Sequence, residues 1–192
     1  MVDPLNFPIP ESFETSRLVL RCFRATDAPE LHEALMESLA ELRAYLWFLP
    51  WVAEEQSLQS AELRCRKAQA GFLLRTDLPY LAFSKQSGRL IGSAGLHRTD
   101  WALPKTEVGY WIRSSEVGKG YASEAVVALT EWAFTSLQVQ RVELVTDERN
   151  AGSRAVAGRC GFRLEGTLHS TMQSPDGMLR NSCIYARVRV AL

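Results

Sequence analysis

The sequence predicts a mixed α/β fold, and three observations carry that prediction. Segments that alternate every two residues stand near both ends of the chain and in its middle. Segments with apolar residues at helical spacing separate them. A glycine pair, Gly118 and Gly120, leads from a strand pattern into a helical one.

The elements follow in order. "MVDPLNFPIPESFET" is rich in proline, and residues 1–16 read as an extended lead-in over the surface. "RLVLRCF" (Arg17–Phe23) is a first strand. Asp27 and Glu30 form a capping-box pattern, and Leu31, Ala34, Leu35 and Leu39 keep helical spacing after it. "YLWFLPWV" interrupts before a second helix near residues 57–71. "LPYLAFSK", "GRLIGSAGLHR" and "TEVGYWIR" are strands, the first two joined by the hairpin turn "KQSGR". The helix after the glycine pair, from about Tyr121, puts Ala122, Ala125, Val126, Leu129 and Ala133 on one face. "RVELVT" is a strand, and "NAGSRAVAGRC" a short helix that Gly161 ends. "FRLEGTL" and "RNSCIYARVRV" close the chain as strands, the last alternating through Ile184, Ala186, Val188 and Val190. The order is β-α-α-β-β-β-α-β-α-β-β in a single domain spanning residues 1–192, long enough for a full-sized core.

Composition narrows the function. Hydrophobic residues make up 46%, ordinary for a globular chain. The 22 lysines and arginines match 22 acidic residues, so the basic surplus of a dedicated nucleic-acid binder is missing. No apolar run reaches bilayer-spanning length, so no membrane partner is expected, and no secretory signal pattern opens the sequence. Cys22, Cys65, Cys160 and Cys183 lie far apart without a C-x-x-C pair and read as reduced thiols of a cytoplasmic protein. His32, His97 and His169 lack metal-ligand spacing, so no metal is expected. The absence of a G-x-S-x-G elbow leaves serine-hydrolase chemistry unsupported.

"EVGKGYASEA" (residues 116–125) carries the chemistry. Glycine accepts backbone angles other residues resist and lets a ligand come close. Free amides and the dipole at the following helix start favour an anion, and Lys119 can add charge. A plain tight turn is one reading and a phosphate site the other. A dinucleotide fingerprint fails at Ser123, where a third glycine belongs, and because residues 113–117 separate strand from loop. No Walker-type loop occurs.

The run Val117-Gly118-Lys119-Gly120-Tyr121-Ala122 resembles the pyrophosphate loop Q/R-x-x-G-x-G/A of the Gcn5-related N-acetyltransferases (GNAT), with valine at the first position. "GLHRTDWALPKTEVGYWI", "GKGYASEAV", "RVEL", "NAGSRAVAGRCGFRLEGTL" and the tryptophan-proline segment "YLWFLPWV" are similar in order and spacing to the RimJ/RimL-type branch, from Arg17 onward. The resemblance implies the GNAT fold, a mixed sheet whose central strands splay. It also implies acetyl-CoA as acyl donor and a protein N-terminus, ribosomal proteins included, as acceptor; relatives suggest a homodimer. A small amine acceptor, or a non-catalytic CoA-binding module, stays open.

The resemblance further implies roles for individual residues. Val117, Gly118, Lys119, Gly120, Tyr121, Ala122 and Ser123 would hold the pyrophosphate. The backbone of Tyr110, Trp111 and Ile112 would pair with the pantetheine arm, and an N–H near Ile112 would face the developing oxyanion. Trp111 can equally be a core aromatic. Glu107 would be the general base, though an α-amine with a pKa of about 8 needs little help. Ser153 would lie near the coenzyme sulfur and Asn150 would hold a pantetheine amide; either can instead cap its own helix. Met172 stands where RimL-type enzymes have a second carboxylate, with Glu165 a distant stand-in. Trp47, Trp51, His97 and Trp101 are candidate acceptor-site residues; core packing would explain the tryptophans as well. Glu54 and Glu55 would attract a cation or simply be solvated.

Overall fold

The computed structural model describes residues 3–189; Val190 of the closing-strand pattern lies outside them. The elements are β1 (Ser12–Glu14), β2 (Leu18–Cys22), α1 (Ala28–Leu46), α2 (Pro50–Ala53), α3 (Leu58–Leu73), β3 (Leu78–Ser84), β4 (Leu90–Asp100), β5 (Lys105–Ile112), α4 (Tyr121–Thr135), β6 (Arg141–Asp147), α5 (Ala151–Arg159), β7 (Arg163–Gln173) and β8 (Leu179–Val188). Two exceed the sequence reading. β1 is too short to show alternation and is defined by its pairing, Phe13 opposite Leu20. α2 is one turn begun by Pro50, whose fixed φ suits a first helical position. The lead-in is accordingly not uniformly extended: it turns at Pro4–Asn6, buries Ile9 and receives the Tyr80 hydroxyl on the Pro10 carbonyl at 2.9 Å.

The expected Asp27–Glu30 capping box does not form. The Asp27 carboxylate takes the Arg24 amide at 2.8 Å and the Arg21 guanidinium at 2.8 and 2.6 Å. Glu30 reaches across to the Leu90 amide at 2.6 Å. A cation and a neighbouring strand end outcompete the local cap.

All eight strands form one sheet, ordered β1-β2-β3-β4-β5-β6-β8-β7. Neighbours are antiparallel except β5 and β6, which run parallel. α4 and α5 cover one face through Ala125, Val126, Leu129, Ala133 and Val156 against Leu96, Val108, Val142 and Leu144. α1 and α3 cover the other through Leu31, Leu35, Leu42 and Cys65 against Leu81, Leu90 and Trp111. Each helix turns one apolar stripe to the sheet, which is what its spacing predicts.

Past β5 the chain is pinned from beneath. Arg113 is fully buried, with Glu33 of α1 at 3.0 Å and Glu37 at 3.4 Å. The Ser114 amide donates to Ser38 Oγ at 3.0 Å and the Ser115 amide to Glu37 Oε1 at 2.9 Å. α1 thereby fixes where the glycine loop begins.

Candidate active site

β5 and β6 pair only over Lys105–Glu107 and Arg141–Glu143, then diverge. The Arg113 amide donates to the Ile91 carbonyl, so Trp111 and Gly109, opposite Ser93 and Gly95, direct their backbone groups at β4. Alternation in an antiparallel ladder then turns the N–H and C=O of Tyr110 and Ile112 toward the gap beside β6. These groups form a free strand edge inside the sheet.

The glycine loop closes one end of the gap. Gly118 and Gly120 hold φ of 83° and 84°, the left-handed region. Gly120 caps α4 without a side-chain bond, and the first helical bond is Glu124 N–H to the Gly120 carbonyl at 3.1 Å. The Tyr121, Ala122 and Ser123 amides thus meet no acceptor among the described residues, and the helix dipole adds positive character there. Val117 is 66% exposed, and Lys119 pairs with Glu116 at 2.9 Å. Arg17 brackets the loop: its guanidinium lies 4.6 Å from the Tyr121 ring centroid and donates to the Lys119 carbonyl at 2.9 Å.

Across the gap, the Tyr110 hydroxyl and Ser153 Oγ of α5 are 2.8 Å apart. Burial pushes Tyr110 up to about 12, against the opposing pull of the Ser153 hydrogen bond, so the phenol stays protonated. Asn150 accepts the Ser153 amide at 2.9 Å and caps α5. Sequence reasoning placed Tyr110 here for its backbone and missed its hydroxyl; the even residues of the β5 pattern were the signal that it faces α5.

On the α1/α3 face, both Glu107 oxygens are taken by Arg98, one through Nε at 2.9 Å and the other through Nη2. Arg98 has φ of 51° where the β4–β5 register slips. His97 Nδ1 lies 2.9 Å from Asp77 Oδ1. The Trp51 ring lies 6.4 Å from that of Trp111 and carries the Arg64 guanidinium at 3.4 Å. Trp47 donates to the Gln173 carbonyl at 3.2 Å and has Arg180 over its ring. Arg180 in turn pairs with buried Asp147 at 2.8 Å. Trp101 does not join them: it stacks on Phe7 at 4.9 Å and packs against the core on the α4 face. Met172 sits opposite Arg180, and Glu165 is held by Arg141 at 2.5 and 2.9 Å. Glu54 and Glu55 are exposed. No group of three His, Cys, Asp or Glu suited to a metal ion occurs among the described residues.

An uncapped helix behind a diglycine loop, facing a parallel pair that parts, can hold an anion at one end and an extended chain along its free edge. Residues 17–163 match the profile described as the acetyltransferase (GNAT) domain. The chain belongs to the GNAT acetyltransferase family. This GNAT enzyme is 28% identical over 158 residues to the uncharacterized N-acetyltransferase p20 of Bacillus licheniformis, covering 82% of this chain and 85% of that one. It is 35% identical over 85 residues, 44% of this chain and 47% of the other, to the ribosomal-protein-serine acetyltransferase of Escherichia coli (strain K12). The solved structure of Mycobacterium smegmatis RimJ in complex with CoA-disulfide superimposes with a TM-score of 0.79 at 26% identity, covering 89% of this chain and 81% of that one. No helix among the described residues is long and apolar enough to cross a membrane.

Proposed function

We propose that this enzyme moves an acetyl group from acetyl-CoA to the α-amine of a protein or peptide N-terminus. The observation that carries the donor half is the gap between β5 and β6, with the Gly118–Gly120 loop at its end. The residues fit such a ligand. The would-be Cβ of Gly118 meets nothing within 4 Å, so that side of the loop is open, and three helix-start amides lack acceptors among the described residues. Backbone from Gly118 to Ser123 holds the pyrophosphate; Val117 contributes no polar contact, and Lys119 gives part of its charge to Glu116. Tyr110 and Ile112 pair with the pantetheine arm as an added strand. When bound, the coenzyme supplies the thioester carbonyl that the amine attacks.

This chain's residues do the rest. The Ile112 N–H offers a fixed donor where the carbonyl oxygen gains charge. The Tyr110 hydroxyl holds a proton at the mouth of the gap, and Ser153 orients it. A thiol's pKa near 8.5 makes this a modest task. Glu107 stands on the acceptor side as a carboxylate committed to Arg98. Protonating it would break that bidentate pair, so it acts better as a fixed charge than as a base. Trp47 and Trp51 wall the acceptor side. A protein acceptor is supported by the ribosomal-protein-serine acetyltransferase among the relatives.

The test is thiol release from acetyl-CoA with a panel of N-terminal peptides and small amines. Peptides are expected to turn over fastest. Preference for a polyamine or amino-acid-like amine would replace the acceptor assignment. No turnover alongside tight CoA binding would leave only a binding module.

A further inference from the structure

We infer that His97, oriented by Asp77, is the base that takes the proton from the acceptor amine; this rests on the acetyl-transfer reading above. The neutral imidazole donates from Nδ1 to Asp77 Oδ1 at 2.9 Å, because a carboxylate can only accept. The lone pair is then on Nε2. That atom has no hydrogen-bond partner among the described residues and is not sealed from the surface.

Two glycines bring this nitrogen to the reacting edge. Gly95 and Gly109 are register partners on β4 and β5. A Cβ on Gly95 would come within 3.1 Å of Nε2, and one on Gly109 within 2.9 Å of Cδ2 and 3.2 Å of Nε2. The ring therefore lies over the β4–β5 pair, above the residue just before Tyr110, in space that any side chain at 109 would fill. Strands sit about 4.8 Å apart, so Nε2 stands roughly one strand width from the gap where Tyr110 and Ile112 present their backbone groups.

The competing carboxylate is occupied: Glu107, opposite His97 on β5, is paired with Arg98. The charged groups around the ring are Asp77 from the turn before β3, this Arg98–Glu107 pair, and Glu143 of β6, opposite Glu107. Arg75 on the same turn as Asp77 points away, to the Phe72 carbonyl. Protons balance. Nε2 accepts the amine proton as the N–C bond forms and the C–S bond breaks, Tyr110 supplies one to the departing sulfur, and both residues re-equilibrate with water.

The test combines kcat/KM against pH with an N-terminal peptide, CoA affinity by calorimetry, and ¹⁵N NMR of the imidazole in the ligand-free protein. His97→Asn is expected to lower kcat/KM about 100-fold near neutral pH, the scale of a general base. It should remove one ionisation from the acidic limb while leaving the CoA dissociation constant within about twofold. Asp77→Asn should shift the neutral ring toward the Nε2–H tautomer and slow turnover. A His97→Asn enzyme that keeps the wild-type pH profile would overturn the assignment. So would an Nε2–H tautomer in the wild-type spectrum, which needs no variant to fold. Wild-type protein that acetylates no amine would instead remove the acetyl-transfer reading, and this one with it.

Discussion

Gly120 holds φ at 84° one residue before α4, and a Cβ there would meet Arg17 Nη2 at 3.3 Å. A β-branched residue at that angle costs about 1–3 kcal/mol and pulls the loop amides out of line. Gly120→Val should therefore weaken CoA binding at least about tenfold by calorimetry, whereas Val117→Ala, at an exposed side chain, should change it less than about twofold. Equal losses would mean that the backbone does not hold the phosphates. At Tyr110, burial keeps the hydroxyl protonated through any practical assay range, since its pKa is pushed up to about 12. Tyr110→Phe should thus lower kcat by about tenfold or more, by the same factor from about pH 6 to 10, read from stopped thiol-release assays. A loss confined to alkaline pH would contradict this. The glycines were legible in the sequence because their role is local. The hydroxyl pairing was not, because Ser153 is 43 residues away.

The start of α4 is held by Glu124, which faces the lead-in. Its carboxylate accepts from Thr15 Oγ1 at 2.5 Å, Ser16 Oγ at 3.0 Å, the Arg17 amide at 2.8 Å and Arg17 Nε at 2.6 Å. Burial works against the charge, but these donors outweigh it and hold the carboxyl below its usual range. A folded-state pKa below the unfolded value gives stability that is present above the unfolded value, near 4.3, and lost as pH falls through the folded one. Glu124→Ala should cost about 2–3 kcal/mol in urea titrations near neutral pH, and less as pH drops below about 4. A cost unchanged by acid would place its origin in packing. The helix itself was legible from its spacing and the glycine before it. β1 was not: three residues carry no alternation, and only pairing with β2 defines them. The capping box at Asp27 misled for a related reason, since Arg21 offers that carboxylate a charged partner.

At the scale of the whole molecule, a ligand seated between β5 and β6 bridges both halves of the sheet and binds the folded state alone. CoA at about 100 times its dissociation constant should add about 2.7 kcal/mol, raising Tm by roughly 5–10 °C for a chain of this size. Thermal unfolding with and without CoA checks this; no shift for the wild-type chain would argue against the gap as the site. The sequence by itself determined the kinds of element, their order apart from two short ones, and the glycine loop that opens α4, because periodicity and glycine angles depend on neighbours along the chain. Only the tertiary structure decided which side chains meet. It gave Glu107 to Arg98, Ser153 to Tyr110 and His97 to Asp77, and it turned Trp101 to the far face against Phe7. Those outcomes depend on strand register across the sheet, where a slip of one residue sends every side chain to the opposite face.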